Sequence, residues 1–327
     1  MKFSIIVPVY NVQDYLEKCL QSLLSQSFED FEILLINDGS TDNSLAVCEQ
    51  FDDSRIKLFS QENHGVSSAR NLGLANATGD ILIFIDPDDY VSNHHLMNLY
   101  TALNSGDFAF LLNEIYFEKD GIKTATHFGE KDKEKTLSLD KAIEYCSHGM
   151  GFLGILVNKV FIREIVEQHQ LRFDERVHQR EDRLFCLEYL LAAKESFPNS
   201  KAVIINQPTY YYVNRTTSQM NRISPKTYTA LYAQEIIERK TNSCSKAIKK
   251  WNKNKKTTET IYLYHYALQH PEILKSLDKE LQQILFDNFH TLTRNKTATF
   301  LYLLTTSTLK MRQRLGLLQI FMRLPKK

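Results

Sequence analysis

Four short apolar runs, each followed by a segment of helix length, constrain this chain more than any other feature. They are "FSIIVPVY" (3–10), "FEILLIND" (31–38), "IKLFS" (56–60) and "DILIFID" (80–86). Runs this continuous read as strands covered on both faces. After the first, Val12, Tyr15, Leu16, Cys19, Leu20, Leu23 and Leu24 recur at helical spacing, with Asn11 placed as a cap. Further helices are expected at 45–51, at 67–77 ending near Gly79, and at 93–103. Such alternation predicts an α/β fold, a mostly parallel central sheet with helices on both faces.

The pattern then loosens. A strand is expected at 108–117, a polar loop at 118–136, helices at 138–147 and 181–195, and one or two strands in "KAVIINQPTYYYV" (201–213). Beyond about residue 225 the chain reads as mainly helical, so we expect two regions, 1–225 and 226–327. Residues 239–257 carry eight Lys or Arg and no acid, and so do residues 288–327. The latter include the apolar stretches "TFLYLLTTSTL" and "LGLLQIFMRL".

Composition excludes several classes. A net charge of +1 gives no global pull toward nucleic acid. Five scattered cysteines without a CxxC pair argue against a disulfide framework and a thiolate zinc site. The apolar start, Phe3 to Val9, is short for a signal peptide and is interrupted by Pro8. No apolar window approaches the roughly 18 residues of a membrane span. The expected compartment is the cytosol.

Ligands of parallel sheets bind beyond the carboxyl ends of the strands. There this chain places its unusual residues. "FIDPDDY" carries Asp86, Asp88 and Asp89, hard oxygen donors suited to Mg²⁺ or Mn²⁺ with a diphosphate completing the shell. A solvated turn explains the same residues. "INDGSTDNS" offers Asp38 for a base N–H, or simply turn and cap chemistry. "NHGVSSAR" offers a helix start and Arg70 for a phosphate, or an exposed structural Arg. "HQREDRLF" offers Glu181 and Asp182 as a general base and its neighbour, or as acids favoured at a helix start. Together these features suit a nucleotide diphosphate with a divalent cation. Neither GxxxxGK[ST] nor a GxGxxG after the first strand occurs.

In combination, "FSIIVPVYNVQDYLEKCLQSLLSQ", "FEILLINDGSTDNS", "ENHGVSSARNLGLANATGDILIFIDPDDY" and "REDRLF" resemble the family-2 glycosyltransferases of the GT-A fold over roughly residues 1–220. The resemblance implies inverting transfer from a nucleotide-sugar, usually a UDP-sugar, to an acceptor hydroxyl in bacterial capsule, exopolysaccharide or teichoic-acid synthesis. It implies that Pro8, Tyr10 and Asp38 hold the base and ribose, with Asn11, Asn63 and Arg70 near the nucleotide. Asp86 and Asp88 become the metal-binding Asp-x-Asp, Asp89 lies near the donor sugar, and Asp182 is the catalytic base beside Glu181. Arg215 and Ser218 fall in a loop over the diphosphate. Three departures stand out: Pro87 in the Asp-x-Asp, Arg180 where a small residue is common, and Val157 where Trp is common. Arg180 is expected to narrow the acceptor entrance.

Two rivals come from other classes. One is a non-catalytic nucleotide-sugar-binding scaffold subunit, against which the retained Asp-x-Asp and Glu-Asp speak. The other is a nucleotidyltransferase, whose Gly-rich, Arg-Lys-containing start is missing. The basic tail suggests peripheral contact with the inner face of the membrane, where a lipid-linked saccharide acceptor resides, or packing on the catalytic region or on a second copy as a homo-oligomer.

Overall fold

The computed structural model describes residues 1–126, 135–148, 154–214 and 223–294. Arg215, Ser218 and the apolar tail stretches lie outside them. The chain divides into two compact units, one of residues 1–175 and 181–219, the other of 176–180 and 220–327.

In the first unit β1 (Phe3–Val9), β2 (Phe31–Asp38), β3 (Ile56–Gln61) and β4 (Ile81–Phe84) form a parallel block in the order β3-β2-β1-β4. The first, second and fourth are buried along their whole length, which their continuous apolar runs anticipated. The chain moves outward from β1 to β3, then returns to the other side of β1. The switch point between β1 and β4 is where such sheets bind ligands.

Helices α1 (Gln13–Leu24), α2 (Ser44–Glu49), α3 (Val66–Asn76) and α4 (His95–Asn104) follow their strands within a few residues of expectation. Asn11 is not the cap of α1. Val12 occupies that position, and Asn11, at φ 52, turns its amide toward the β2–α2 loop.

The remaining strands are β5 (Tyr90–Val91), β6 (Phe108–Lys119), β7 (Ile122–Ala125), β8 (Lys135–Ser138), β9 (Lys159–Ile162) and β10 (Lys201–Val213). The sheet continues β4-β9-β6-β10-β5, with β7 on β6 and β8 on β10. The stretch 118–136 is therefore not simply a polar loop. Asp120 (φ 52) and Gly121 (φ 78) make a two-residue hairpin turn between β6 and β7, a connection for which Asp-Gly is a strong signal. Strand β9 runs antiparallel to β4 and β6. It is too short to stand out by periodicity. β10 is a single strand whose register with β6 shifts between Ile205 and Tyr210.

Helices α5 (Leu139–His148), α6 (Arg163–Gln168) and α7 (Glu181–Ser196) complete this unit. An aromatic cluster joins β4 to α7. Phe84 meets Phe185 edge-on at 5.9 Å and Phe173 at 5.5 Å, while Phe173 and Phe185 stack at 4.2 Å. Contacts of this kind add about 0.5–1.5 kcal/mol each beyond area burial.

The second unit is helical among the described residues: α8 (Ala230–Lys240), α9 (Lys246–Gln269), α10 (Pro271–Ser276) and α11 (Lys279–Arg294). Buried polar groups pair within it. Gln234 Nε2 donates to the Asn252 carbonyl at 3.2 Å, and Asn252 Nδ2 to Thr241 Oγ1 at 2.8 Å. From the basic run, Lys256 pairs with Glu235 at 2.6 Å and Glu238 at 2.9 Å. Arg180 pairs with Glu259 in this unit. No described helix is long and apolar enough to cross a membrane.

Candidate active site

The carboxyl ends of β1, β2 and β3 are laced together by short polar groups. Asn11 Oδ1 accepts from the Thr41 backbone N–H at 2.8 Å and from that of Asp42 at 3.3 Å. Asp38, buried at the tip of β2, accepts from the His64 and Gly65 N–H groups, each at 2.9 Å, and from Gln61 Nε2 at 2.7 Å. Gly39 sits at φ +66, and a Cβ there would lie 2.8 Å from the Asn63 backbone nitrogen. Glycine alone suits that combination of positive φ and close approach. Pro8 is buried within β1, opposite Ile36, whereas Tyr10 beyond the strand is 42% exposed. The side chain of Asp38 thus holds the β3–α3 loop, a role its sequence context did not reveal.

β4 delivers the acidic turn. Ligand oxygens of Asp86, Asp88 and Asp89 lie within 4.8 Å of one another. The three are not equivalent. Asp89 is 2% exposed. Its Oδ2 accepts from the Tyr210 hydroxyl at 2.6 Å and its Oδ1 from the Val213 N–H at 2.8 Å. Burial pushes its carboxyl well above the usual range, and the neighbouring Asp86 and Asp88 add to this. Asp86 and Asp88 are both half-buried. Two carboxylates with phosphate and water completing the shell is the set Mg²⁺ or Mn²⁺ favours. The residues present fit such an ion.

Arg70, on the buried face of α3, occupies the middle of the site. Its Nη2 donates to Asp86 Oδ1 at 3.2 Å. Its Nη1 donates to Asp182 Oδ1 at 2.6 Å and to Glu181 Oε1 at 3.4 Å. The guanidinium also lies over Phe173, 5.4 Å from the ring centroid. Phe173 of the β4–α7 aromatic cluster thus forms the floor beneath the guanidinium. Phe84 is two residues before Asp86, and Phe185 three after Asp182.

Glu181 and Asp182 open α7, where the helix dipole favours negative charge. Burial, reinforced by Asp182 and opposed by Arg70, pushes Glu181 up to about 8. Burial likewise raises Asp86 to about 6, against the pull of Arg70.

Of the residues expected at the site, Arg70, Asp86, Asp88, Asp89, Glu181 and Asp182 come together. Pro8 and Asp38 lie in β1 and at the tip of β2, and Tyr10, Asn11 and Asn63 in the adjoining strand-end loops. Tyr210 was missed. The period of two in "YYYV" separates Tyr210 from Tyr211, but only strand pairing shows that Tyr210 reaches Asp89.

A model of the family described as "Glycosyl transferase family 2" matches residues 4–167, half of the chain. The chain belongs to glycosyltransferase family 2. The chain is 36% identical over 163 residues to the glycosyltransferase GlyA of Streptococcus pneumoniae serotype 4, covering 43% of this chain and 23% of that one. It is 34% identical over 188 residues to the uncharacterized glycosyltransferase EpsJ of Bacillus subtilis, covering 56% of this chain and 54% of that one. It thus spans only part of the length of these relatives. Among solved structures, Staphylococcus aureus TarS residues 1–349 in complex with UDP-GlcNAc superposes with a TM-score of 0.62 at 20% identity, covering 90% of this chain and 81% of that one. The likeness shows a shared fold.

Proposed function

We propose that the transferase moves a hexosyl or N-acetylhexosaminyl group from a UDP-sugar to an acceptor hydroxyl, with inversion, during synthesis of a bacterial surface polysaccharide or glycoconjugate. The observation that carries this reading is the convergence of the Asp86–Asp88 pair and Asp182 on one edge of the sheet, joined through Arg70. The nucleotide-sugar named in the TarS complex supports a UDP-linked donor. A saccharide, free or lipid-linked, is the acceptor in this reading.

Asp86 and Asp88 would hold Mg²⁺ or Mn²⁺, which supplies charge neutralisation for a departing diphosphate. The other steps fall to the chain. The strand-end loops of β1, β2 and β3 seat the nucleotide, and the Asp89–Tyr210 bond keeps the acidic turn in place. Asp182 takes the proton of the acceptor hydroxyl as that oxygen attacks the anomeric carbon. Glu181 lies beside it at the start of α7. Alignment of donor and acceptor supplies much of the acceleration.

The test is release of UDP from a panel of UDP-sugars with Mn²⁺, with and without saccharide acceptors. One donor should be turned over, faster with its acceptor. Tight UDP binding without turnover of any donor would instead favour the scaffold reading, and pyrophosphate release from UTP plus a sugar phosphate the nucleotidyltransferase. Sedimentation with anionic liposomes, with and without residues 297–327, tests membrane contact. Loss of solubility without loss of liposome binding on truncation favours packing on protein.

A further inference from the structure

Arg70 invites assignment as a clamp for the donor diphosphate, since it lies one turn into a helix whose start faces the site. Its surroundings argue otherwise. The side chain is 4% exposed. Both terminal nitrogens are directed at carboxylates: Nη2 at Asp86, Nη1 at Asp182 and Glu181. The Nε–H, buried, has no hydrogen-bond partner. An unpaired buried donor is costly, so the guanidinium is oriented for its two-pronged grip at the expense of its third donor direction. A planar fork with fixed geometry suits a bridge between two carboxylates, and a single ammonium does not.

We infer that Arg70 is a positioning residue rather than a phosphate ligand: it ties the cation-side carboxylate Asp86 to Asp182, so that the ion site and the base hold one fixed separation. The bridge spans the distance the reaction must span, between the end of the donor where charge leaves and the acceptor oxygen that arrives. Attachment to β4 on one side and to the first turn of α7 on the other makes the guanidinium the cross-brace between those elements above the aromatic floor of Phe173. Glu181 at 3.4 Å is its weaker third anchor.

This inference rests on the assignment of Asp182 as base, and the experiment separates the two. Arg70→Met and Arg70→Lys are compared with Asp182→Asn for kcat, donor KM, UDP affinity and Mn²⁺ affinity by calorimetry. For a lost brace, Arg70→Met should lower kcat about 100-fold, the scale of an ångström-sized misplacement. UDP affinity and donor KM should stay within about 3-fold of wild type, because uniform binding is untouched. Arg70→Lys keeps the charge but not the fork, so its kcat should lie between the two. It also carries the test if the Met variant does not fold, with UDP binding itself reporting an intact site. A loss of UDP affinity that matches the loss in kcat/KM would make Arg70 a diphosphate ligand and overturn the inference. Wild-type kcat in the Arg70 variants beside an inactive Asp182→Asn would overturn it alone. A fully active Asp182→Asn would overturn the base assignment.

Discussion

Arg70 Nη1 lies 2.6 Å from Asp182 Oδ1, across 112 residues of sequence, while Nη2 of the same guanidinium reaches Asp86 at 3.2 Å. This one side chain connects the acidic turn after β4 with the start of α7. The placement is enforced from below by rings and from the sides by α3, β4 and α7. Charge alone would not hold it, since three acids around one base leave a net negative cluster that burial disfavours. Burial raises the Glu181 carboxyl, which eases that excess.

Replacing Asp182 by Asn should remove the acceptor's proton sink while leaving the nucleotide loops alone. Transfer should fall by about 10²–10⁴, the usual worth of general base catalysis. UDP affinity, measured by calorimetry, should not change. Transfer at the wild-type rate would show that the base is another group.

Replacing Asp88 by Ala should remove one of the two carboxylates proposed to hold a cation. Mn²⁺ titrated into the variant should show binding at least about tenfold weaker than wild type, the order expected when a ligand is lost. Equal Mn²⁺ affinity in both proteins would move the ion site elsewhere.

Tyr210→Phe should leave the buried Asp89 short of its hydroxyl donor at 2.6 Å. Leaving such a group unsatisfied costs about 1–3 kcal/mol. The loss should appear as a lower Tm and a lower denaturant midpoint. A variant as stable as wild type would mean that water replaces the hydroxyl without penalty.

Gly73 of α3 faces β1 so closely that an added Cβ would lie 2.4 Å from Ile6 Cγ2. Gly73→Ala should therefore destabilise the protein by about 1–3 kcal/mol through overpacking, despite the better helix propensity of Ala. Gly73→Ala combined with Ile6→Val should recover part of the loss. Unfolding in urea measures both.

His95 is buried and neutral, its pKa lowered by burial to about 3. Asn113 Nδ2 lies 2.7 Å from Thr209 Oγ1, which lies 2.7 Å from His95 Nδ1. The unfolded chain protonates this histidine below its ordinary pKa near 6.5 and the folded chain does not. Its contribution to stability is thus present above about pH 6.5 and is lost as pH falls from there toward 3. His95→Gln should flatten the fall in stability over that window, followed by denaturation at several pH values. An unchanged slope would assign the acid sensitivity to other groups.

The parallel block was legible because its strands are buried on both faces, which leaves an unbroken apolar signature in β1, β2 and β4. Where a strand is short the signature fades. Strands β5, β7, β8 and β9 have two to four residues each and were not anticipated. Asp120-Gly121 could have betrayed β7, but Tyr90-Val91 and Lys159–Ile162 are strands only because longer neighbours complete their hydrogen bonds.

The residue types of the candidate site, and the strand ends that carry them, were determined by the sequence. Carboxylates placed where apolar runs stop cannot be buried cheaply without partners, so their function is written into local composition. The partners were decided by tertiary structure. Whether Arg70 meets phosphate or carboxylate, and whether Asp89 faces a sugar or Tyr210, depends on which distant segments arrive beside them. Those segments are brought in by packing of Phe84, Phe173 and Phe185 and by pairing of β10 with β5 and β6. Non-directional burial carries no local signal of which partner it will deliver.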